Sequence, residues 1–366
     1  MKKDPPKEAE LNILMMPDYR LDNPYQTLLT DALETQGVRI NFCQGYRRIF
    51  PIYRQLKTVQ IISRNPLEIL HIHWLNPYLK GENIALKLVY CFKFLLDIFL
   101  VKIQGVKIIW TVHNLVAHNS QFPRIEKYLK WIFIRLTNGV IVHSQAAKDS
   151  VVDRYGINPN KINVIPHGHY RDAYLPAIAP LEARHQLNLP EQGLIFLNFG
   201  MLRPYKGIEK LLEIWHLQAE LLTESQLLIV GKALDLDYGW ALDTQAKAGR
   251  NITLRNQFVA NEEVHLYFSA ADIIVLPFNQ ILTSGSLLLA MSYGKPIIAP
   301  KSATILETMG EATDFLYDPE DPNGLLQAIQ DSLKGDLCLA SQKVSRAGDR
   351  LNWFDIAAQT KKVYQT

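Results

Sequence analysis

The sequence predicts an α/β protein of two doubly wound domains, and three observations lead to this fold class. The chain has 366 residues, enough for two domains at roughly 150 residues each. Short apolar runs bounded by turn residues alternate with longer amphipathic stretches, as in parallel sheets covered by helices. The alternation stops at a turn-rich segment, residues 166–180, and then starts again. Two successive Rossmann-like units are therefore expected.

Each half contains its own series of predicted strands. In the first half the strands are residues 11–16, 38–42, 69–72, 106–112, 139–142 and 162–165. In the second half they are residues 194–199, 226–230, 252–255, 272–276 and 296–299. Helices fit between most of them, including residues 207–222 and 262–270, and residues 351–364 have a helical pattern. We expect a first domain of residues 1–178, a second of residues 179–348 and a C-terminal segment of residues 349–366.

Composition excludes several classes of protein. Hydrophobic residues make up 48% of the chain and charged residues 20%, as in ordinary globular proteins. The three cysteines are too few and too far apart for a disulfide framework, so a reducing cytoplasm is expected. The charged, proline-rich start of the chain does not resemble a signal peptide. Charged residues interrupt the apolar stretch 84–103, which argues against a membrane span.

Charge is distributed unevenly along the chain. Residues 1–180 carry 23 of the 39 Lys and Arg but only 14 of the 36 Asp and Glu, so the first half is basic and the second acidic. Arg47, Arg48, Arg54 and Lys57 precede the apolar stretch 84–103. This pattern suits an anionic membrane surface, and a solvated basic face beside a buried helix is the alternative. No aromatic-plus-basic recognition signature is present, so nucleic acid is not expected as a partner.

Residues 199–207 are the first segment with a chemical signature, Phe-Gly-Met-Leu-Arg-Pro-Tyr-Lys-Gly. They follow a predicted strand and precede a helix, at the strand end where open α/β sheets bind ligands. Arg203 and Lys206 lie between Gly200 and Gly207, so both cations can approach a diphosphate with little steric hindrance. Together they would offset the charge of a leaving pyrophosphate. A basic helix-entry loop without a ligand is the alternative.

A second segment, residues 279–291, runs from a strand end into an apolar helix. Thr283, Ser284 and Ser286 are helix-capping residues, and Gly285 allows close approach of the backbone. The unpaired amides in the first turn of such a helix bind phosphate. Plain helix capping explains the same residues, so this segment alone does not specify a ligand.

The first half offers polar residues after its first predicted strand. Asp18 or Asp22 in this loop can bind an acceptor hydroxyl or act as a general base, and a turn or helix cap is the alternative for each. The histidines are numerous, but their spacings form no metal motif, so no metal site is expected. The Asp235-Leu-Asp237 match to a metal-binding Asp-x-Asp pattern is attributed to chance. No Gly-x-Gly-x-x-Gly turn follows the first strand, which argues against a dehydrogenase.

Taken in order, these segments resemble the donor domain of family 4 glycosyltransferases. The resemblance is carried by four stretches, which are Gly-x-x-Arg-x-x-Lys-Gly at 200–207, Gly231-Lys232, Phe258-Val259 and residues 290–299. The first half is similar to the acceptor domain of that family through its histidine-containing segments, which are residues 71–74, 110–114, 142–144 and 164–170. The resemblance implies the GT-B fold, with two Rossmann-like domains facing across a cleft. It also implies that the C-terminal segment crosses back to the first domain.

The resemblance implies a role for each matching residue. In the donor site, two cations and the backbone amides around Gly285 would hold the diphosphate, and Phe258 and Val259 would lie beside the nucleotide base. The expected donor-site residues are Gly200, Arg203, Lys206, Gly231, Lys232, Phe258, Val259, Thr283, Ser284, Gly285 and Ser286. The expected catalytic residues are His113, Arg203, Lys206 and Asp18. The expected acceptor-side residues are Asp22, Asn23, His73 and His167.

The activity implied is transfer of a hexose from a UDP- or GDP-sugar to a glycan or lipid-linked acceptor, without a metal or further cofactor. The resemblance favours retention of the anomeric configuration, and inversion with Asp18 or Asp22 as the base stays open. A place in polysaccharide biosynthesis is expected, in the cytoplasm or at the inner face of the cytoplasmic membrane.

The chain departs from the family at one point. Two glutamates usually stand eight positions apart where this sequence has Ile281 and Leu289, and neither side chain can accept a hydrogen bond. Asn279, Gln280 or Thr283 are candidates to replace the sugar contact. A non-catalytic subunit that binds a sugar nucleotide or glycan is therefore one alternative function. A nucleotide-sugar epimerase on the same fold is the other.

Overall fold

Two parallel six-stranded sheets organise the chain, each in a unit of its own. The computed structural model describes residues 11–21, 23–42, 51–63, 66–115, 121–279 and 284–366. The first unit consists of the chain up to Gly168 together with Trp353–Thr366, and the second unit is His169–Asn352. The predicted fold class, two Rossmann-like α/β domains, is confirmed.

The sheet of the first unit has the order β2-β1-β3-β4-β5-β6, with every pair parallel. Its strands are β1 (Leu11–Met16), β2 (Val38–Phe42), β3 (Ile69–Ile72), β4 (Lys107–Thr111), β5 (Gly139–Val142) and β6 (Ile162–Val164). All four residues of β3 are buried, so the sheet is covered on both faces at its centre. This two-sided burial is why such strands are continuous apolar runs in the sequence.

The sheet of the second unit has the order β12-β11-β10-β7-β8-β9, again with every pair parallel. Its strands are β7 (Leu194–Phe199), β8 (Ser225–Gly231), β9 (Ile252–Asn256), β10 (Ile273–Val275), β11 (Ile297–Pro300) and β12 (Leu316–Tyr317). Phe196, Leu227 and Ile273 belong to the core on one side of this sheet, where Trp215 packs edge-on to Phe196.

Helices connect the strands in both units. In the first unit and the adjoining connection they are α1 (Pro24–Thr35), α2 (Pro51–Ser63), α3 (Ile84–Lys102), α4 (Pro123–Leu136), α5 (Gln145–Tyr155) and α6 (Pro180–Gln186). The following helices are α7 (Ile208–Leu217), α8 (Leu236–Ala248), α9 (Val264–Ala270), α10 (Gly285–Ser292), α11 (Ala303–Met309), α12 (Gly324–Lys334), α13 (Leu337–Asp349) and α14 (Trp353–Gln365).

Both sheets have a switch point, where the direction of winding reverses. In the second unit the chain runs from β7 outward to β8 and β9, and then returns to the other side of β7 to form β10. In the first unit β1 and β3 are the corresponding neighbours. The connections that leave two such strands diverge, and the crevice between them at the carboxyl ends is where open α/β sheets bind ligands.

The eleven predicted strands are all present, and their ends differ from the prediction by at most one residue. The sequence does not predict β12, because two residues are too short to form a recognisable apolar run. The helix predicted over 207–222 ends at Leu217, and turn residues follow it.

The second unit begins at His169, whereas the sequence analysis places its start at residue 179. Two hydrogen bonds explain the earlier boundary. The backbone amide of His169 donates to the oxygen of Leu351 at 3.0 Å, and that of Tyr170 donates to the hydroxyl of Ser292 at 2.8 Å. The start of the turn-rich segment is therefore attached to the second unit.

The C-terminal helix α14 belongs to the first unit, where it packs on α1. The side-chain amide of Gln36 donates to the backbone oxygen of Phe354 at 2.8 Å. The ammonium of Lys361 donates to the backbone oxygen of Gln36 at 2.7 Å. The chain therefore returns to the first unit at Trp353, whereas the predicted C-terminal segment starts at residue 349.

Candidate active site

The loop after β7 and the start of α10 meet at the switch point of the second unit. Lys206 is buried, and its ammonium lies 3.1 Å from the hydroxyl of Ser286 and 3.4 Å from the backbone oxygen of Phe199. The Ser286 hydroxyl donates to the same Phe199 oxygen at 2.9 Å. The two segments singled out in the sequence therefore converge on one place.

Glycines at two strand ends make this convergence possible. Gly200 has φ +111°, and a Cβ at this position would lie 2.9 Å from both the Lys206 Nζ and the Ser286 Oγ. A Cβ at Gly231 would lie 1.9 Å from the backbone oxygen of Gly200. Any larger residue at these positions would displace the loop or the ammonium. Both residues were predicted as part of the donor site.

The electrostatics of Lys206 favour an anionic ligand. Burial lowers the pKa of Lys206 to about 8, and no carboxylate pairs with it among the residues that the structure describes. A cation that is removed from water and lacks a counter-ion is stabilised by any anion that reaches it. Binding of an anion beside Lys206 is therefore electrostatically favourable.

The first turn of α10 adds to this positive potential. Ser284 caps the helix, because its hydroxyl accepts a hydrogen bond from the backbone amide of Leu287 at 3.0 Å. The first amides of a helix have no intrahelical acceptor and carry the positive end of the helix dipole. Gly285, which is exposed, and Ser286 are the residues of this first turn.

The other predicted donor-site residues follow β7, β8 and β9 of the same unit and differ in exposure. Arg203 is half-buried and begins the 3₁₀ turn Pro204–Lys206 in the same loop. After β9, Phe258 is 76% exposed whereas Val259 is buried. Lys232 is exposed, and its backbone oxygen accepts a hydrogen bond from the Leu202 amide at 3.1 Å.

Of the two positions at which the chain departs from the family pattern, the structure describes only Leu289. Leu289 is buried at 6% exposure in α10, so an apolar side chain occupies this position. Ile281, Gln280 and Thr283 lie outside the described residues. Asn279 connects the segment after β10 to the loop after β7, since its backbone amide donates to the backbone oxygen of Tyr205 at 2.9 Å. The predicted role of Asn279 in sugar binding stays a prediction.

Histidines cluster at the carboxyl edge of the sheet in the first unit. His73 follows β3, His113 follows β4, His143 follows β5 and His167 follows β6. Because parallel strands end at the same edge, the four rings meet there, and none is more than 9% exposed. Ring centroids are 5.5 Å apart for His73 and His113, and 5.1 Å apart for His113 and His143.

Three larger aromatic side chains enclose this histidine cluster. The ring of Trp74 stacks on His113 with centroids 4.4 Å apart, and Tyr25 meets His113 edge-on at 4.8 Å. Trp353 of α14 lies 5.4 Å from Tyr25. The sequence analysis does not single out Tyr25 or Trp353. The signal for Tyr25 is its place at the start of α1, directly after the β1 loop at the same edge of the sheet.

Hydrogen bonds determine which ring nitrogen carries the proton in three of the histidines. The His143 Nδ1 lies 3.0 Å from the carbonyl oxygen of Ile165 and must therefore carry the proton. Its Nε2 then accepts from the Nδ1 of His113 at 3.4 Å, and the Nε2 of His113 accepts from the Nδ1 of His73 at 3.2 Å. The Nε2 of His73 is left as an acceptor, and it has no hydrogen-bond partner within the described part of the chain.

Every histidine of this group is neutral near pH 7. Burial lowers the pKa of His71 and His167 to about 3 and that of His143 to about 4. Burial and the neighbouring imidazoles also hold the pKa of His73 and His113 well below the usual value. The cluster therefore offers hydrogen bonds and aromatic surface without positive charge, and none of these rings is a strong base.

The loop after β1 contains two predicted acceptor-side residues. The guanidinium of Arg20 donates two hydrogen bonds to the carboxylate of Asp18, at 2.9 and 3.0 Å, and holds the pKa of Asp18 below its usual value. A carboxylate held in this way is a weak base. Asn23 caps α1 by accepting from the backbone amide of Tyr25 at 3.0 Å. Asp22 lies outside the described residues.

No metal cluster is evident where the chain is described. In those ranges, no three His, Cys, Asp or Glu side chains are placed to hold a metal ion. Asp235, from the Asp-x-Asp match, caps α8 by accepting from the backbone amide of Tyr238 at 3.1 Å.

Two family models match the chain, one in each unit. The model described as Glycosyltransferase Family 4 matches residues 17–170, and the model described as Glycosyl transferases group 1 matches residues 193–335. The second match contains the Lys206 site, and the first contains the four clustered histidines.

Two relatives with similar sequences are named as sugar transferases. A GDP-mannose:glycolipid 4-beta-D-mannosyltransferase of Xanthomonas campestris pv. campestris is 28% identical over 315 residues, which cover 85% of this chain and 80% of that protein. A UDP-Gal:alpha-D-GlcNAc-diphosphoundecaprenol alpha-1,3-galactosyltransferase of Escherichia coli is 22% identical over 350 residues, covering 92% and 84%.

Solved structures share the fold at low sequence identity. Sucrose-phosphate synthase from Thermosynechococcus elongatus has a TM-score of 0.72 at 18% identity, covering 97% of this chain and 98% of that one. The Anabaena protein HepE in complex with UDP and glucose has a TM-score of 0.69 at 17% identity, covering 97% and 99%.

The imidazoles of His73, His113 and His143 are expected to stay neutral, with the proton on Nδ1, wherever the protein is folded. Long-range ¹H–¹⁵N NMR distinguishes both neutral tautomers from the charged ring. Below about pH 6.5 only the unfolded chain takes up these protons, so the free energy of unfolding should fall as the pH falls. The expected slope is up to about 1.4 kcal/mol per pH unit for each ring.

A matched variant separates the proton uptake of these rings from that of the carboxylates, which also titrate in acid. His143→Gln should lower the proton uptake on unfolding near pH 5 by about one proton. Titration of the three rings near pH 6.5 in the folded protein would contradict the hydrogen-bond chain.

Proposed function

Since the chain is a glycosyltransferase of the family 4 type with the GT-B fold, we propose that it transfers a hexose from a UDP- or GDP-sugar to a glycan or lipid-linked acceptor. The main support for a nucleotide-sugar donor is the buried ammonium of Lys206, which contacts Ser286 in the first turn of α10 at the switch point. The relatives support this choice, because their names specify GDP-mannose with a glycolipid and UDP-Gal with a diphosphoundecaprenol-linked sugar.

The second unit would hold the leaving group. As the bond from the anomeric carbon to the diphosphate breaks, negative charge grows on the terminal phosphate oxygens. The Lys206 ammonium, the Arg203 guanidinium and the first amides of α10 are preorganised donors for this charge. We propose that these groups suffice without a metal ion, so that turnover survives addition of EDTA.

The first unit would bind the acceptor and the transferred sugar. Neutral imidazoles can donate to or accept from sugar hydroxyls without attracting the phosphates of the donor. His113, stacked on Trp74, is the residue proposed to contact the sugar, and it would do so through its ring surface because both of its nitrogens pair with His143 and His73. Asp18 is proposed to position the acceptor loop through its pair with Arg20, as an alternative to acting as a base.

Retention of the anomeric configuration is proposed, with a phosphate oxygen of the donor accepting the proton of the acceptor hydroxyl. The support is that the histidine cluster and Asp18 offer only weak bases. Inversion is the competing outcome, with Asp22 as the candidate base. The relatives do not decide between them, because one name specifies a beta linkage and the other an alpha linkage.

The double variant Arg203→Ala/Lys206→Ala is expected to lose nearly all turnover and to keep its fold. Each missing contact to a charge that develops in the transition state costs about two to three powers of ten in rate. Turnover is measured by release of UDP or GDP, and folding by Tm. Lys334→Ala is the control, because this exposed lysine at the end of α12 lies in the same unit but outside the site. Wild-type turnover in the double variant would refute the donor site.

Binding of UDP or GDP is expected to weaken as the pH rises above about 8, where the buried Lys206 loses its proton. A bound diphosphate stabilises the charged form, so binding takes up a proton, and Kd should rise by up to about tenfold per pH unit. Calorimetry in buffers of different ionisation enthalpy measures this uptake. Lys206→Arg should bind with little pH dependence, because a guanidinium stays charged. An unchanged pH dependence in this variant would assign the proton to another group.

The stereochemical proposal has a direct test. The anomeric configuration of the new linkage, read by NMR from its one-bond C–H coupling, is expected to match that of the donor sugar. The opposite configuration would establish inversion. In that case Asp22→Asn and Asp18→Asn identify which carboxylate acts as the base.

A further inference from the structure

The outward face of α3 is apolar along its entire length. The residues at helical spacing on this face are Ala85, Leu88, Val89, Phe92, Leu96, Phe99 and Ile103. Phe92 is 68% exposed, Val89 60% and Ile103 58%. At 1.5 Å per residue the stripe is about 27 Å long. A helix on the surface of a domain normally presents charged side chains to water instead.

Two charged side chains of α3, Lys87 and Asp97, point inward and are used in packing. The buried ammonium of Lys87 donates to the carboxylate of Glu126 on α4 at 2.6 Å. The buried carboxylate of Asp97 accepts from the backbone amides of Ile52 and Tyr53, at 2.9 and 2.8 Å, in the first turn of α2. Turning the helix to hide the apolar stripe would leave these buried charges without partners. The rotation of α3 is therefore set by its neighbours.

Helix α4, which packs beside α3, exposes basic and aromatic side chains of its own. Arg124 and Lys127 are exposed, as are Tyr128 and Trp131, and the guanidinium of Arg135 lies 3.7 Å from the ring centroid of Trp131. We call the stripe and these side chains the α3–α4 face. Glu126 and Asp97 are the acidic residues of these two helices, and both are buried. The face therefore exposes cations without anions.

We propose that the α3–α4 face docks the first unit on the surface of an anionic phospholipid bilayer. The apolar stripe would enter the boundary between headgroups and acyl chains, while the α4 side chains meet the phosphates. Among the described helices, none is long and apolar enough to cross a bilayer. The inference rests on the lipid-linked acceptor proposed above, because docking would bring the first unit to such an acceptor.

A second copy of the chain fits this face less well. In a two-fold symmetric dimer the same patch lies on both partners, so cations of α4 would oppose cations and no exposed carboxylate of α3 or α4 could neutralise them. Anionic headgroups supply that missing charge. Charge complementarity therefore selects the bilayer.

The test uses the full chain and two kinds of vesicle, one of phosphatidylcholine alone and one with equal parts of phosphatidylglycerol. The wild-type protein should co-sediment with the anionic vesicles. Phe92→Ser/Phe99→Ser should reduce this partitioning by about tenfold or more, because two exposed aromatic anchors are lost. Arg124→Glu/Lys127→Glu should reduce binding to anionic vesicles toward the level of the neutral ones. Leu217→Ser, an equally exposed apolar residue of the second unit, is the control.

Two further measurements keep the outcomes distinct. Binding of UDP or GDP, followed by Tm, should be unchanged in all of these variants, so loss of vesicle binding tests docking and leaves the donor site untouched. Sedimentation equilibrium without lipid should show a monomer. Equal vesicle binding by wild type and Phe92→Ser/Phe99→Ser would overturn the proposal, as would a lipid-free dimer that this variant dissociates.

Discussion

The Lys206 ammonium is buried without a carboxylate partner among the described residues, and this is the constraint around which the site of the second unit is built. Removing a charge from water costs several kcal/mol even after the protein relaxes, as an order of magnitude. The carbonyl of Phe199 and the hydroxyl of Ser286 offset part of this cost for Lys206. Gly200 supplies the space, since any side chain there would collide with the ammonium. The remaining positive potential is the physical reason why an anion is proposed as the ligand of this crevice.

The first unit meets the opposite requirement at its own sheet edge. It collects several groups that could carry positive charge, but burial keeps every imidazole of the cluster neutral. The single carbonyl of Ile165 fixes the proton positions of three rings in sequence. Under the proposed function, with phosphates bound in one unit and hydroxyls in the other, this division would be an advantage, because a cationic acceptor site would compete for the donor.

Much of this arrangement could be predicted from the sequence, and the exceptions have physical reasons. The strands were predictable because burial on both faces makes them continuous apolar runs. The family prediction rested on four stretches of the second half, one of which contains Lys206, and on the histidine-containing segments of the first half. Lys206 and Ser286 are 80 positions apart in the sequence. Their contact depends on the strand order, which the sequence does not show. The four clustered histidines are separated by 24 to 40 positions, so their meeting follows only from a shared sheet edge. The pairing of Asp18 with Arg20 depends on loop geometry and could not be predicted.

The rotation of α3 shows most clearly where sequence patterns stop being informative. Residues 84–103 are apolar on nearly every side, so periodicity predicts a helix without indicating which face is buried. Two charged side chains decide the matter, because Lys87 pairs with Glu126 of α4 and Asp97 accepts hydrogen bonds from the first turn of α2. Breaking either of these buried pairs would cost several kcal/mol, so the helix keeps the rotation that leaves the stripe facing outward. Water alone does not favour such a surface, and the exposed cations of α4 are the reason why anionic lipid is proposed as its partner.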